Sequence, residues 1–402
     1  MKWLSAFLCR KKHSALFAIG DDAPSVFFEI WYTSANSRVR GEAKGIAIKL
    51  IEVYERSLLK GKQGELRLER VLERSDSKST IPDSCMSNNH LLFPSLLAAT
   101  KPINVFFECM FVLRCKNEMN LDTGPLLALA DKIFKEQDFQ DTNKLFGVQG
   151  TIESLRAVSV EDWLMLLMKI MVMDFNNLLF PRRFPVTWGM KLALSALKGV
   201  PLYPPPKDLN DEEGKSKFHH SFYLATHIIY AIGAYSSVKT EAKAIPWLYG
   251  YCRKSLKFWM KRAHLKDKLM KNGDSGDSIY VDVDGIAECA DVLRGQGLTE
   301  ATDRLLCEAS VWMLGKQKKE GSWPIWTTAP KEDWEPYDYL HPSWVCTQAL
   351  RDRDFDVGFT RPGNVLWKKF IAKVLAEAKL DERVGWRIDW KRGEVVMEDN
   401  DV

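Results

Sequence analysis

His227, Asp284 and His341 recur at a constant spacing of 57 residues along the chain. Two neutral imidazoles and a carboxylate form a legitimate ligand set for zinc or iron. The same groups without a metal form an acid–base set. Glu288 and Asp291 follow Asp284 at four and then seven residues, so a helix here would carry all three carboxylates on one face. Like charges so placed require a cation or basic neighbours opposite them. Three readings fit the cluster. His227, Asp284 and His341 bind a divalent metal, with Glu288 or Asp291 as a further ligand or proton carrier; the same residues form a metal-free polar active site; or the histidines cap helix starts and hydrogen-bond to the acids.

The spacing has a structural origin. Shifting the sequence on itself by 57 residues also superposes Ile232, Cys289 and Cys346; Cys252, Ala309 and Leu366; and Leu256, Met313 and Phe370. The last two sets lie four residues apart, which is helical periodicity. Each unit reads as a short inner helix, a turn and a longer amphipathic outer helix, the outer helices lying at about 245–265, 302–318 and 362–378. Such hairpins close a core only by stacking on their neighbours. The register places the inner helices' marked residues at one level near their N-terminal ends, with Thr226 as a cap before His227 and Pro342 in the first turn after His341. An anionic ligand would be stabilised there. Tyr230 and Trp344 share one register position, a turn beyond the histidines. Together with Tyr339 they would line a cavity for a long apolar ligand or stabilise a cation. Tyr280, Trp323, Trp326, Trp334 and Tyr337 add to this aromatic supply, although aromatics at helical spacing are also ordinary core.

Bulk properties narrow the function classes. A net charge of +4 on 402 residues gives no reason to expect nucleic acid as the partner. The eight cysteines include no C-x-x-C pair, which favours reduced thiols and an intracellular, cytoplasmic setting over a disulfide framework. Residues 163–173 are apolar but too short to span a bilayer, so no integral membrane protein is expected. The apolar stretch Trp3–Cys9 precedes the basic Arg10–Lys12, the wrong order for a secretory signal; organelle targeting stays open. The basic run from Arg253 to Lys271 reads as a solvated outer face.

Earlier in the chain, helices are expected at 41–60 and 96–115 around a polar break at 75–89, at 158–175 starting at Ser159, and near 188–197. The prolines at 201 and 204–206, with the charged run to Lys217, mark the sharpest boundary. Residues 385–397 alternate like a small β-hairpin around Arg392-Gly393, ahead of a frayed acidic end.

The run from Leu314 to Trp323 contains Gln317, Gly321 and Trp323 as Q-x3-G-x-W. It resembles the QW motif of the squalene–hopene cyclase and prenyltransferase repeat family, and the resemblance covers about residues 220–380. It implies an α/α toroid in which the Gln and Trp tie an outer helix's end to the next inner helix. Class II terpene cyclases of this family protonate an alkene with a D-x-D-D motif. The counterpart here is Asp282-Val283-Asp284-Gly285, which lacks the last acid. Protein prenyltransferase β subunits take zinc ligands from D-G-C and D-x-Y-H runs. Asp284-Gly285-Ile286 is similar to the first without its thiolate, and Asp338-Tyr339-Leu340-His341 to the second with altered spacing. The tract with Thr226-His227 and His341-Pro342-Ser343-Trp344 also resembles toroid-repeat proteins of algae and bacteria.

The expectation is an all-α protein. A helical region of unassigned role (1–150) precedes helical hairpins forming an α/α toroid (151–384) and a short hairpin with an acidic tail (385–402). Its expected activity is terpene cyclase- or prenyltransferase-like, on an isoprenoid-like apolar substrate. Asp284, Glu288 and Asp291 would be catalytic, Tyr230, Tyr339 and Trp344 would bind substrate, and His227, Asp284 and His341 would hold any zinc or iron. The alternative is a non-catalytic scaffold that binds a protein partner.

Overall fold

The structure is a computed structural model. It describes residues 22–59, 102–181, 183–186, 189–197, 200, 202–206, 211–235, 237–274, 279–323, 337–355, 361–379, 387–389 and 394–396. The expectations for Trp3–Cys9, the break at 75–89, Trp326, Trp334 and the acidic end lie outside these residues.

The fold is all-α. Its helices are α1 (Asp22–Thr33), α2 (Ser37–Leu59), α3 (Pro102–Glu118), α4 (Gly124–Glu136), α5 (Thr142–Phe146), α6 (Ile152–Arg156), α7 (Val160–Leu179), α8 (Met190–Leu197), α9 (Glu212–Ile232), α10 (Pro246–Lys271), α11 (Val283–Gly295), α12 (Arg304–Lys316), α13 (Tyr337–Leu350) and α14 (Pro362–Ala378). The expected outer helices are α10, α12 and α14. The C-terminal hairpin is a short antiparallel ladder, β1 (Arg387–Asp389) with β2 (Glu394–Val396), in which Ile388 pairs Val395. Among the described residues no helix is long and apolar enough to cross a membrane.

Local chemistry sets the helix starts. Ser159, Asp211, Asp282 and Asp303 each accept a backbone N–H from the first turn of α7, α9, α11 and α12, satisfying donors that the helix leaves unpaired. Pro246 and Pro362 open α10 and α14, where a missing N–H costs nothing. Two expectations change here. The charged run after Asp211 is the first turns of α9, not a linker, so His227 lies five residues before that helix's end and Thr226 caps nothing. α13 reaches back to Tyr337, so Pro342 sits inside it.

Packing runs in a continuous succession. α1 packs on α2, α2 on α3, α3 on α7, α7 on α9, α9 on α11 and α11 on α13, and α13 packs on α1. The last member thus meets the first. Further contacts place α4 on α2 and α3, α8 on α7, α10 on α9 and α11, and α12 on α10 and α11, while α14 packs on α7 and α8. A single apolar cluster extends from Val26 to Ala378, so helices before and after residue 150 share one core.

The segment after α12 shows how a hairpin is tied. Gln317 Nε2 donates to Gly321 O at 3.0 Å, closing a turn in which Gly321 takes φ +99°, and Trp323 Nε1 donates to Met313 O in α12 at 2.8 Å. The Trp323 backbone N–H donates to Ser343 Oγ of α13 at 3.0 Å. Trp323→Phe retains most of the buried area but leaves the Met313 carbonyl short of a donor. A loss of about 1–2 kcal/mol is expected in urea denaturation. Gln317→Ala, on an exposed turn, should cost less than about 0.5 kcal/mol. Equal losses would contradict the assignment of Trp323 as the tie.

Candidate active site

α11 is buried from Val283 to Leu293 on every side, which is unusual for a helix carrying three carboxylates. Each acid is met by a different neighbour. Asp284 Oδ2 lies 2.6 Å from His341 Nδ1 on α13. Glu288 accepts a hydrogen bond from Thr226 Oγ1 on α9, and its Oε2 is 3.7 Å from His227 Nδ1. Asp291 accepts from Gln348 Nε2 at 3.0 Å and pairs with Arg353. The 57-residue register is therefore a register of physical contact: Asp284 with His341 and Asp291 with Gln348 are both equivalent positions on adjacent helices.

Burial governs the protonation of this cluster. It raises the Asp284 carboxyl, with His341 opposing it, and raises Glu288 well above the ordinary carboxylate range, with Thr226 opposing. His227 goes the other way: burial lowers it to about 4. Its Nδ1 lies 2.9 Å from Tyr223 O, an acceptor only, so Nδ1 carries the proton and Nε2 the lone pair. Asp284 Oδ1 is buried with no hydrogen-bond partner among the described residues. The site is thus a set of buried carboxyls whose hold on a proton burial strengthens, beside the neutral imidazole of His227.

The aromatic residues divide. Trp344, buried on α13, lies with its ring 5.4 Å from that of His341. Tyr230, buried on α9, meets His227 edge-on at 5.4 Å and donates its hydroxyl to Glu288 O at 3.3 Å. Both therefore border the cluster, as their common register position requires. The Tyr339 backbone belongs to α13, and its side chain lies outside the described residues. Asp291 is seven residues beyond Asp284, about 10 Å along the axis. It belongs to a separate group of arginines at the other end of α11.

The three expected metal ligands fall into two pairs, His341 with Asp284 and His227 with Glu288. Among the described residues no group of three or more His, Cys, Asp or Glu side chains is placed to hold a metal. His227 and His341 also stand away from helix N-termini, unlike Asp284, the second residue of α11. The N-terminal dipole therefore acts on Asp282 and Asp284 alone.

Two site residues, His219 and Tyr223, escaped sequence reasoning, and Asp282 entered it only through the D-x-D-D comparison. Asp282, the α11 cap, also accepts from Tyr223 Oη at 3.3 Å and lies 3.5 Å from His219 Nε2. His219, Tyr223 and His227 follow one another at four-residue steps, the signature of one helix face. The signal was present, hidden because α9 was expected to start later. Gly285, at the last acid of the D-x-D-D pattern, has a physical reason to be glycine. A Cβ there would sit 3.1 Å from Trp259 Nε1 and 3.2 Å from Asp282 Cγ, so any side chain crowds α10. The neighbouring Ile286 is wholly buried.

Compared with protein-family models, curated proteins and solved structures, the chain matches none of them.

Proposed function

We propose that this chain is an enzyme acting by proton transfer on an apolar, isoprenoid-like substrate, with Asp284 as the acid and His341 as its partner, inside an α/α toroid. The observation that carries the reading is the buried Asp284–His341 pair, whose second carboxyl oxygen has no partner among the described residues. A proton on Oδ1 is free to leave towards a substrate, and the carboxylate that remains is stabilised by an Nδ1–H of His341. Tyr230 and Trp344 offer π faces beside a developing cation. Glu288, held by Thr226, is the second proton reservoir. The toroid is supported by the helix succession that leads from α1 back to α1, and by the Gln317–Trp323 tie.

The test is a panel of polyprenyl substrates incubated in D2O, read by mass spectrometry. Deuterium-labelled product is expected from the native protein. Asp284→Asn should lower its rate by at least about a hundredfold, the contribution typical of general acid catalysis. Melting should be little changed. Labelled product at an undiminished rate in Asp284→Asn would refute the assignment. A zinc or iron version of the site requires His227 and His341 to turn towards one ion. It predicts stoichiometric metal in the purified protein that is lost in His227→Ala and His341→Ala.

A second reading, a scaffold for a protein partner, is favoured by one observation. The adjacent outer helices α10 and α12 expose Leu265, Met270, Val311 and Leu314, with Val311 64% exposed. If that surface binds a partner, Val311→Glu should abolish its capture and leave the D2O reaction unaffected.

A further inference from the structure

The ends of the inner helices opposite the carboxyl cluster converge on arginines. Arg114 of α3, buried to 1%, donates through Nη2 to Ala234 O at 3.3 Å, and Arg351, just after α13 and buried to 5%, donates through Nη2 to Tyr235 O at 3.1 Å. Ala234 and Tyr235 are consecutive residues in left-handed backbone, at φ 47° and 57°, so their carbonyls bring the two guanidinium groups together. Arg353 donates through Nη2 to Gln348 O at 3.2 Å and pairs with Asp291. The carboxylate of Glu29, 3.6 Å from Arg114 and bonded by Ser237, lies in the field of all three arginines.

These contacts leave much unsatisfied. Nε and Nη1 of Arg114, of Arg351 and of Arg353 are all buried without a hydrogen-bond partner among the described residues. Arg351 also makes no ion pair within 4.0 Å there. Six buried guanidinium nitrogens without acceptors are not a feature that helix-end carbonyls explain, since each arginine meets its carbonyl through Nη2 alone. The nearby carboxylates of Glu29, Asp291 and Glu118 offset the guanidinium charges, yet none of them accepts from these six nitrogens. Burial lowers Arg351 and Arg353 to about 10, which marks the strain of holding these cations away from water. Unpaired planar N–H forks are the groups that recognise phosphate oxygens.

We infer that Arg114, Arg351 and Arg353 form a buried binding site for a phosphate-class oxyanion, free or as the head group of a larger molecule. The anion would accept from the Nε and Nη1 donors that Glu29, Asp291 and Glu118 leave unpaired. The inference does not depend on the acid chemistry proposed at Asp284, which lies at the other end of α11.

Calorimetric titration of the full chain with inorganic phosphate, pyrophosphate and a long-chain alkyl phosphate, against sodium chloride at matched ionic strength, tests it. At least one phosphate compound should bind saturably at one site per chain and raise the melting temperature by several degrees, with chloride inert. Tightest binding of pyrophosphate or inorganic phosphate would identify a free anion. Tightest binding of the alkyl phosphate would identify a head group. Arg351→Gln should abolish binding. Arg351→Lys, which keeps the charge but not the fork, should weaken it at least tenfold and carries the comparison if Arg351→Gln does not fold. Absence of saturable binding by all three compounds, or unchanged affinity in Arg351→Lys and Arg353→Lys, would overturn the site.

Discussion

Trp367→Ala is expected to lower the stability of the protein by about 3–5 kcal/mol, the usual cost of truncating a fully buried tryptophan. The residue has no exposed surface, and its ring centroid lies 5.4 Å from that of Phe175 on α7 and 5.3 Å from that of Phe370 on α14. Its Nε1 donates to Ile232 O at 2.9 Å, the last residue of α9, which is among the carbonyls a helix cannot satisfy internally. Nearby, Asn364 Nδ2 donates to Ser237 O at 3.1 Å, so α14 closes the end of α9 with two polar contacts while covering α7. Trp367→Phe separates the contributions. It keeps most of the apolar contact and removes the hydrogen bond, so a loss of about 1 kcal/mol is expected from it. Urea denaturation of both variants decides the matter. Equal losses, or an Ala variant within about 1 kcal/mol of the native protein, would mean that α14 contributes little to holding α7 and α9.

Trp367 also marks where sequence reasoning stops. The 57-residue register located α10, α12 and α14, because apolar side chains at four-residue steps survive in any context. It also matched Asp284 with His341, a pair that the fold brings to hydrogen-bonding distance. It could not tell how far each helix extends beyond the matched segment. The charge-rich stretch after Asp211 looks like a loop until Asp211 is recognised as a cap, and missing that cap concealed Tyr223 and His219. Packing across long separations was equally hidden. The spacing gives no link from Arg351-Asp352-Arg353 to Glu29 and Arg114, more than two hundred residues earlier, and only the fold brings them together. Nor could spacing decide which neighbour each carboxylate faces. Asp284, Glu288 and Asp291 share a helix face in projection, yet α9 takes Glu288 while residues of α13 and its following loop take the other two.

Asp174 carries the second large effect, on pH dependence. Its carboxyl is buried within α7, where Oδ2 accepts the Met190 N–H at 2.6 Å, and burial pushes it up to about 7 from 3.8. The folded protein therefore holds this proton at pH values where the unfolded chain has lost it. Stability from this group is fully present below about pH 4, falls as pH rises, and is exhausted above about 7. The size is on the order of 4 kcal/mol, since each tenfold change in proton affinity corresponds to about 1.4 kcal/mol. His227 acts oppositely, because its depressed value adds stability as pH rises from about 4 to 6.5. The two cancel in part, so the native curve alone does not isolate Asp174. The difference between native protein and Asp174→Asn does. The amide oxygen can still accept from Met190 and has no proton to lose, while His227 and the remaining buried acids are common to both proteins. Denaturation from pH 4 to 8 should show Asp174→Asn gaining on the native protein by a few kcal/mol, with the gain concentrated below pH 7. A difference that stays constant across that range would mean that Asp174 folds as an ordinary carboxylate and that the turn at Gly189, which packs on it, is open to water.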